Sequence, residues 1–344
     1  MESVYIMEPG SFIRKNGGEF SIVKNGAVLN TIPSSNIKRV VLAKGVSLTS
    51  AVLDYFVDNK IETVFLTRNG KFRARISTDE NSKVELRKNQ YFLLSDSVYS
   101  KKFACAVVNG KIKNMSNFMA LRGRDYNDRQ LSEAGLALKS FKPVYTDSMD
   151  KIRGLEGAAS ALYFRMFKKM IKNNDFTFEK RSKRPPLDPI NAMLSYIYTI
   201  ILSEVLTAIQ IKGLDPYLGA LHEILHSRPS LACDLVEEYR APVADRFVLE
   251  LVNRKIVKKD DFVLRDIKNA YADEKDMAQN RPVEMKPKFR NKFIESYEYM
   301  MNTGLFYPPE NKKMEIRKII TRQISQFIES LENKTTYKPF EWKR

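Results

Sequence analysis

Along the first 78 residues, apolar positions come in short β-branched and aromatic runs cut by Asn-Gly pairs at Asn16-Gly17, Asn25-Gly26 and Asn69-Gly70. Asn tolerates the left-handed backbone and Gly adopts it freely, so such a pair between apolar runs is the strongest local signal for a two-residue hairpin turn. Between the hairpins, residues 39–42 and 63–67 read as strands, and residues 48–57 fit one amphipathic helix. A small β-rich domain with a helix is expected. It holds no His, and its acidic residues show no metal-ligand grouping, which favours docking or dimerisation over catalysis.

The stretch 77–88, STDENSKVELRK, has no apolar period before Val84, and residues 79–88 read as a linker. From Gln90 the period lengthens to three and four: Phe92, Val98, Phe103 and Val107, then Leu155, Ala159, Leu162 and Met166. The expected fold class is therefore α+β, with a β-rich domain over 1–78 and a larger all-α catalytic domain over 89–344. Asp188-Pro189 supplies an N-cap and first-turn proline for a long apolar helix ending near Gly213, and Asp215-Pro216 repeats the device for a shorter helix. Another helix is expected from Ser230 to about Arg240. Pro242 interrupts it, a further helix takes 243–255, and the tail from Lys288 is helical with a break at Pro308-Pro309. No internal repeat is visible.

Composition narrows the class. The 344 residues carry 58 Lys and Arg against 41 Asp and Glu, a formal charge of +17. At roughly 150 residues per domain, two domains can each bury a core. Cys105 and Cys233 are too far apart for a metal clip and too few for a disulfide framework, which excludes zinc-finger chemistry and fits a reducing compartment. The N-terminus lacks a basic segment followed by an apolar run, so a cytoplasmic protein is expected. The most apolar stretch, 193–211, contains Glu204 and reads as a core helix rather than a membrane span. The basic excess implies a polyanionic partner, and ten basic residues fall within 151–184 against three acidic ones.

Three segments combine liganding side chains with glycines or helix ends: 154–157, 213–226 and 234–238. Glu156 lies among Gly154, Gly157, Ala158 and Ala159, which let a ligand or another backbone approach; an exposed helical Glu is the plain alternative. Asp234 and Glu237, three apart, share a helix face, as in a metal site or a solvated acidic face. Asp234 also sits in an apolar run, and a buried carboxylate needs a cation or hydrogen bonds. The two histidines, His222 and His226, complete a literal HExxH with Glu223. On one helix that spacing would hold zinc beside a general base, as in a metallopeptidase, but Pro216 and Pro229 confine the helix it needs. The competing grouping joins His222 to Glu156 and Glu237, with Asp234 nearby. Its oxygen-rich donors suit Mg²⁺ or Mn²⁺ and phosphoryl transfer on nucleic acid. A non-catalytic nucleic-acid scaffold is the third possibility.

Four ordered segments carry a more specific signal: GLEGAA at 154–159 followed by Tyr163-Phe164, RPPLDPINAMLSY at 184–196, GLDPYLGALH at 213–222 and RPSLACDLVEEYR at 228–240. Together they resemble the CRISPR-associated Cas1 endonuclease and integrase family over essentially the whole chain. The resemblance implies that Glu156, His222 and Glu237 ligate Mn²⁺ or Mg²⁺, with Asp234 an acidic neighbour and Glu223 and His226 outside the ligand set. Position 237 is Glu where some relatives have Asp, and Ser227 stands where glycine is common. The resemblance also implies a homodimer that assembles with the small Cas2 protein on double-stranded DNA and joins protospacer 3′-hydroxyl ends to the CRISPR repeat by transesterification, in antiviral defence. On that reading Lys168, Lys169, Lys172, Arg181, Lys183 and Arg184 are the candidates for DNA backbone contacts, because phosphate recognition needs charge more than base-specific geometry.

Overall fold

In the computed structural model, which describes residues 3–67, 70–76, 83–265 and 282–343, the chain divides into two units, Met1–Ser82 and Lys83–Arg344. The first unit contains strands β1 (Ser3–Ile6), β2 (Phe12–Asn16), β3 (Glu19–Lys24), β4 (Ala27–Pro33), β5 (Arg39–Ala43) and β6 (Ser47–Leu48), helix α1 (Ser50–Asp58), and strands β7 (Glu62–Leu66) and β8 (Phe72–Ile76). They form two four-stranded sheets, ordered β4-β3-β2-β6 and β1-β5-β7-β8.

The Asn-Gly signals set the hairpin registers. Asn16 pairs with Glu19 across Gly17 and Gly18, and Lys24 pairs with Ala27 across Asn25 and Gly26. Asn25 at φ 51° and Gly26 at φ 80° both take the left-handed backbone that this turn requires. Asn69 lies outside the described residues; Gly70 lies between β7 and β8, which pair antiparallel. Central β5 runs parallel to both its neighbours and is buried along its whole length, hence its unbroken apolar run. Ile13, Phe20, Ile22, Leu42, Val52 and Phe56 form the core, with Phe20 and Phe56 edge to face at 5.3 Å.

The second unit is mostly helical. Of the segment read as a linker, residues 79–82 lie outside the described residues, and Val84 already opens α2 (Val84–Ser95). There follow α3 (Ser97–Asp125), α4 (Arg129–Leu138), α5 (Met149–Phe167), α6 (Pro189–Ile211), α7 (Ser230–Leu235), α8 (Arg246–Asn253), α9 (Pro287–Thr303) and α10 (Ile316–Glu332). Two ribbons that the helical period did not announce are inserted: β9 (Phe262–Leu264) with β10 (Val283–Met285), and β11 (Leu305–Tyr307) with β12 (Lys312–Met314).

Helix α6 matches its sequence signals. The Asp188 carboxylate accepts from the Asn191 N–H at 2.8 Å, Pro189 occupies the first turn, and Gly213 at φ 84° follows the last. The helix is mostly buried, and Glu204 is balanced by Arg317 at 3.1 Å and by the Tyr297 hydroxyl at 3.1 Å. A core helix with a paired acid accounts for the apolar stretch.

One helix expectation fails. Residues 216–229 form turns and loop instead of the short helix expected after Asp215-Pro216. Gly219 explains part of this: a Cβ there would lie 2.7 Å from the Leu231 nitrogen and 2.5 Å from Asp234 Oδ2, so the chain is held against α7. Around Pro242 the regular helix is interrupted as expected, although the chain keeps a helical path. After α7 a tight 3₁₀ turn (Val236–Tyr239) and a wide π turn (Arg240–Asp245) lead directly into α8. The wide turn accommodates the proline that a regular α-helix would reject.

Candidate active site

Helices α3 and α5 and the segment 230–245 deliver side chains to one place. Lys111, buried in the middle of α3, bonds Glu156 on α5 and stands 2.7 Å from Oε2 of Glu237. The Ser160 hydroxyl, one turn beyond Glu156, donates to its carboxylate at 2.9 Å. Arg240, three residues beyond Glu237, reaches Oε1 of Glu237 at 2.9 Å. The His222 ring brings Nε2 to 3.9 Å from the same Oε1. Glu156, Glu237 and His222, which the sequence reading grouped across 81 positions, are thus adjacent.

Asp234 has a different task. It is fully buried, and the backbone N–H groups of Ala220, Leu221 and His222 all donate to it, at 2.7, 3.1 and 2.9 Å. Three consecutive amides converging on one carboxylate make an anion nest, which supplies the hydrogen bonds that a buried carboxylate needs. The same carboxylate lies 2.7 Å from His222 Nδ1. That contact favours the tautomer with the proton on Nδ1 and turns the Nε2 lone pair toward Glu237, the arrangement common behind metal-ligating imidazoles. Gly219→Ala should strain this latch and destabilise the protein by about 1–3 kcal/mol, because backbone atoms leave the new methyl no room. Urea denaturation checks the value, and wild-type stability in the variant would show that the latch is loose.

Charge dominates the site. Burial alone would push the Glu237 carboxyl up, but Arg240, Lys111 and His222 outweigh it and hold it at about 2. Burial likewise opposes ionisation of Glu156, and Lys111 carries it below the usual carboxylate range. Lys111 responds in kind: burial would lower it, and Glu237 and Glu156 raise it above the usual lysine value. Both carboxylates are therefore anionic at neutral pH.

The donor set is the hard-cation kind, two carboxylates and one oriented imidazole. Glu237 Oε2 is buried without a well-aligned hydrogen bond, although the Lys111 ammonium is close, so a further cation has an oxygen to bind. The residues fit a divalent ion. Among the described residues, however, no three His, Cys, Asp or Glu side chains are already closed around a common point.

The HExxH grouping fails on geometry. Its residues lie in loop, without the helical turn that would stack two imidazoles, and Glu223 pairs with Arg153 at 3.1 Å. Arg153 also donates to the Leu221 carbonyl at 2.7 Å, tying the loop to α5.

Sequence reasoning did not single out Lys111, Arg240, Ser160 or Asp245. Asp245 is buried below Arg240 and Arg181 and accepts from the Tyr163 and Tyr198 hydroxyls at 2.9 and 2.5 Å. Burial pushes its carboxyl up to about 6 against the opposing pull of those hydroxyls and cations. The folded value exceeds the unfolded one, so this group's contribution to stability falls as pH rises from about 4 to about 6 and is level above. Wild type should lose up to about 3 kcal/mol relative to Asp245→Asn over that window, measured by denaturation at several pH values.

The basic candidates divide. Lys168 and Lys169 lie at the C-terminal end of α5, where cations are favoured, and Lys172 lies 4.4 Å from the Tyr126 ring. Lys168, Lys172, Lys183 and Arg184 are exposed, and Lys169 is half-buried and 3.5 Å from Asp128. Arg181 is half-buried and bonds Asn191 at 2.7 Å and Ser195 at 3.0 Å.

The model of the family described as CRISPR associated protein Cas1 matches residues 4–298. The CRISPR-associated endonuclease Cas1 1 of Moorella thermoacetica is 36% identical over 274 residues, 77% of this chain and 80% of that protein. Among solved structures, a casposase bound to integration product superposes with TM-score 0.79 at 20% identity, covering 100% of this chain and 95% of that one. A Cas6-RT-Cas1–Cas2 complex gives TM-score 0.77 at 20% identity over 99% of this chain, which spans only 36% of that longer polypeptide.

Proposed function

The chain belongs to the CRISPR-associated Cas1 family of endonucleases acting in CRISPR adaptation, and from that premise we propose that its site is a divalent-metal centre joining DNA 3′-hydroxyl ends to a repeat by transesterification. The observation that carries the reading is that Glu237 neighbours both other candidates, Glu156 through the shared Lys111 ammonium and the Asp234-oriented His222 at 3.9 Å.

These three side chains would hold Mn²⁺ or Mg²⁺. Bound there, a divalent ion supplies Lewis-acid polarisation of the phosphoryl oxygen and readies the attacking hydroxyl. The chain's own residues supply the rest. Asp234 fixes the imidazole. Arg240 and Lys183 place positive charge where the phosphate's negative charge develops. In the joining step the incoming 3′ hydroxyl gives up its proton to solvent as its oxygen bonds phosphorus, the bond to the outgoing 3′ oxygen breaks, and the outgoing oxygen takes up a proton from solvent. With water as nucleophile the same site nicks DNA.

Double-stranded DNA and Cas2 are the proposed partners, supported by the fold shared with the casposase and with the Cas1–Cas2 assembly. A homodimer is proposed through the first unit, where edge strand β4 exposes Val28 and Leu29.

The test incubates the protein with 3′-overhang DNA and supercoiled plasmid in Mn²⁺, Mg²⁺, Zn²⁺ or EDTA. Joined and nicked products should form with Mn²⁺ or Mg²⁺ and disappear in Glu156→Ala. No product with any metal, even with Cas2 present, would overturn the proposal.

A further inference from the structure

We propose that Lys111 is the site's built-in counter-cation, which a divalent ion must displace from between Glu156 and Glu237, so that this lysine sets how tightly the metal binds. The inference rests on the reading of Glu156, Glu237 and His222 as ligands.

Lys111 is a charged residue on a buried face of the longest helix, and its ammonium bonds one carboxylate and touches the other. Glu237 has a separate cation for its other oxygen, since Arg240 approaches Oε1 and Lys111 approaches Oε2. The ammonium therefore stands on the side of Glu237 that Arg240 leaves open, facing Glu156, between two of the side chains that would hold the ion.

Two anions close together, Glu237 buried and Glu156 half-buried, need a cation, and without metal Lys111 provides it. A divalent ion arriving at the same oxygens would meet a positive charge at contact distance and be repelled by it. The lysine stem has four rotatable bonds, so its ammonium can withdraw, whereas Arg240 is bonded on the far side and can stay. Metal binding is then an exchange of one cation for another. It also follows that the metal-free protein keeps a neutralised, folded site.

Isothermal titration of Mn²⁺ into wild type, Lys111→Met and Lys111→Gln, with thermal melts in EDTA and in Mn²⁺, tests this. A merely structural lysine would, when removed, loosen the site and weaken metal binding. The displaced-cation role gives the opposite sign: both variants should bind Mn²⁺ at least about tenfold more tightly while melting lower than wild type in EDTA, and Mn²⁺ should raise their Tm by more than it raises that of wild type. Unchanged or weaker Mn²⁺ affinity in the variants would overturn the proposal. Failure of both to fold even in saturating Mn²⁺ would also overturn it, because the ion is required to replace the ammonium. Absence of Mn²⁺ binding in wild type and variants alike would remove the ligand assignment itself, a different outcome from a wild type that binds and variants that do not gain.

Discussion

Raising salt from 50 to 200 mM should weaken binding of double-stranded DNA about 10³- to 10⁵-fold, the loss expected when six to ten phosphates release their counterions. The expectation comes from where the charge lies. Lys168, Lys172, Lys183 and Arg184 are exposed, and Lys183 is held below the usual lysine range by burial and by the nearby cations Arg240, Lys111 and Arg181. An approaching phosphate relieves that repulsion. Fluorescence anisotropy with a labelled duplex at several salt concentrations gives the slope of log affinity against log salt. Lys168→Ala and Lys183→Ala should each flatten it by about one unit. Arg181→Ala should instead lower stability, since its guanidinium bonds Asn191 and Ser195 within the fold. A slope near zero would leave the basic segment a solvated face and remove DNA as the partner.

Local signals written in short stretches were legible, and long-range partners were not. Asn25-Gly26 announced a hairpin because its backbone requirement is contained in two residues. Asp188-Pro189 and Gly213 announced α6 because caps are local hydrogen-bond devices. The expected helix after Asp215-Pro216 carried the same start signal and failed. There the backbone amides of 220–222 bond the Asp234 carboxylate twelve to fourteen positions away instead of forming a helix. Lys111 left a readable trace. Phe103, Val107 and Met115 recur at four-residue spacing on a buried face of α3, and Lys111 occupies a position in that series. A lysine there demands an anion, although the sequence does not say which one. Arg240 is similar, since three-residue spacing places it beside Glu237. The 335–343 tail left no trace at all. Tyr337 donates to Glu238 at 2.6 Å, and Trp342 donates its N–H to Asn114 at 2.8 Å, contacts made by single polar atoms within a buried core.

His222→Ala should abolish metal-dependent DNA products, by about 10³-fold or more, whereas His226→Ala should leave them at wild-type level. The contrast follows from what each ring can reach. His222 is pinned by Asp234 at Nδ1, with Nε2 3.9 Å from Glu237. His226 lies exposed in the loop 221–229, and Glu223, the would-be base of HExxH, is held by Arg153. A zinc peptidase would need both imidazoles on one helix face, and that helix does not form. Asp234→Asn gives the intermediate case. It keeps the shape of the carboxylate but removes the charge that favours a proton on Nδ1, and loss of such a partner costs about 10- to 100-fold in metal affinity or activity. The order His222→Ala, then Asp234→Asn, then His226→Ala, from most to least impaired, is read from initial rates of plasmid nicking in Mn²⁺. Equal loss in His222→Ala and His226→Ala would return the two-histidine site to consideration. A full-rate His222→Ala would leave the two carboxylates as the only ligands the chemistry needs.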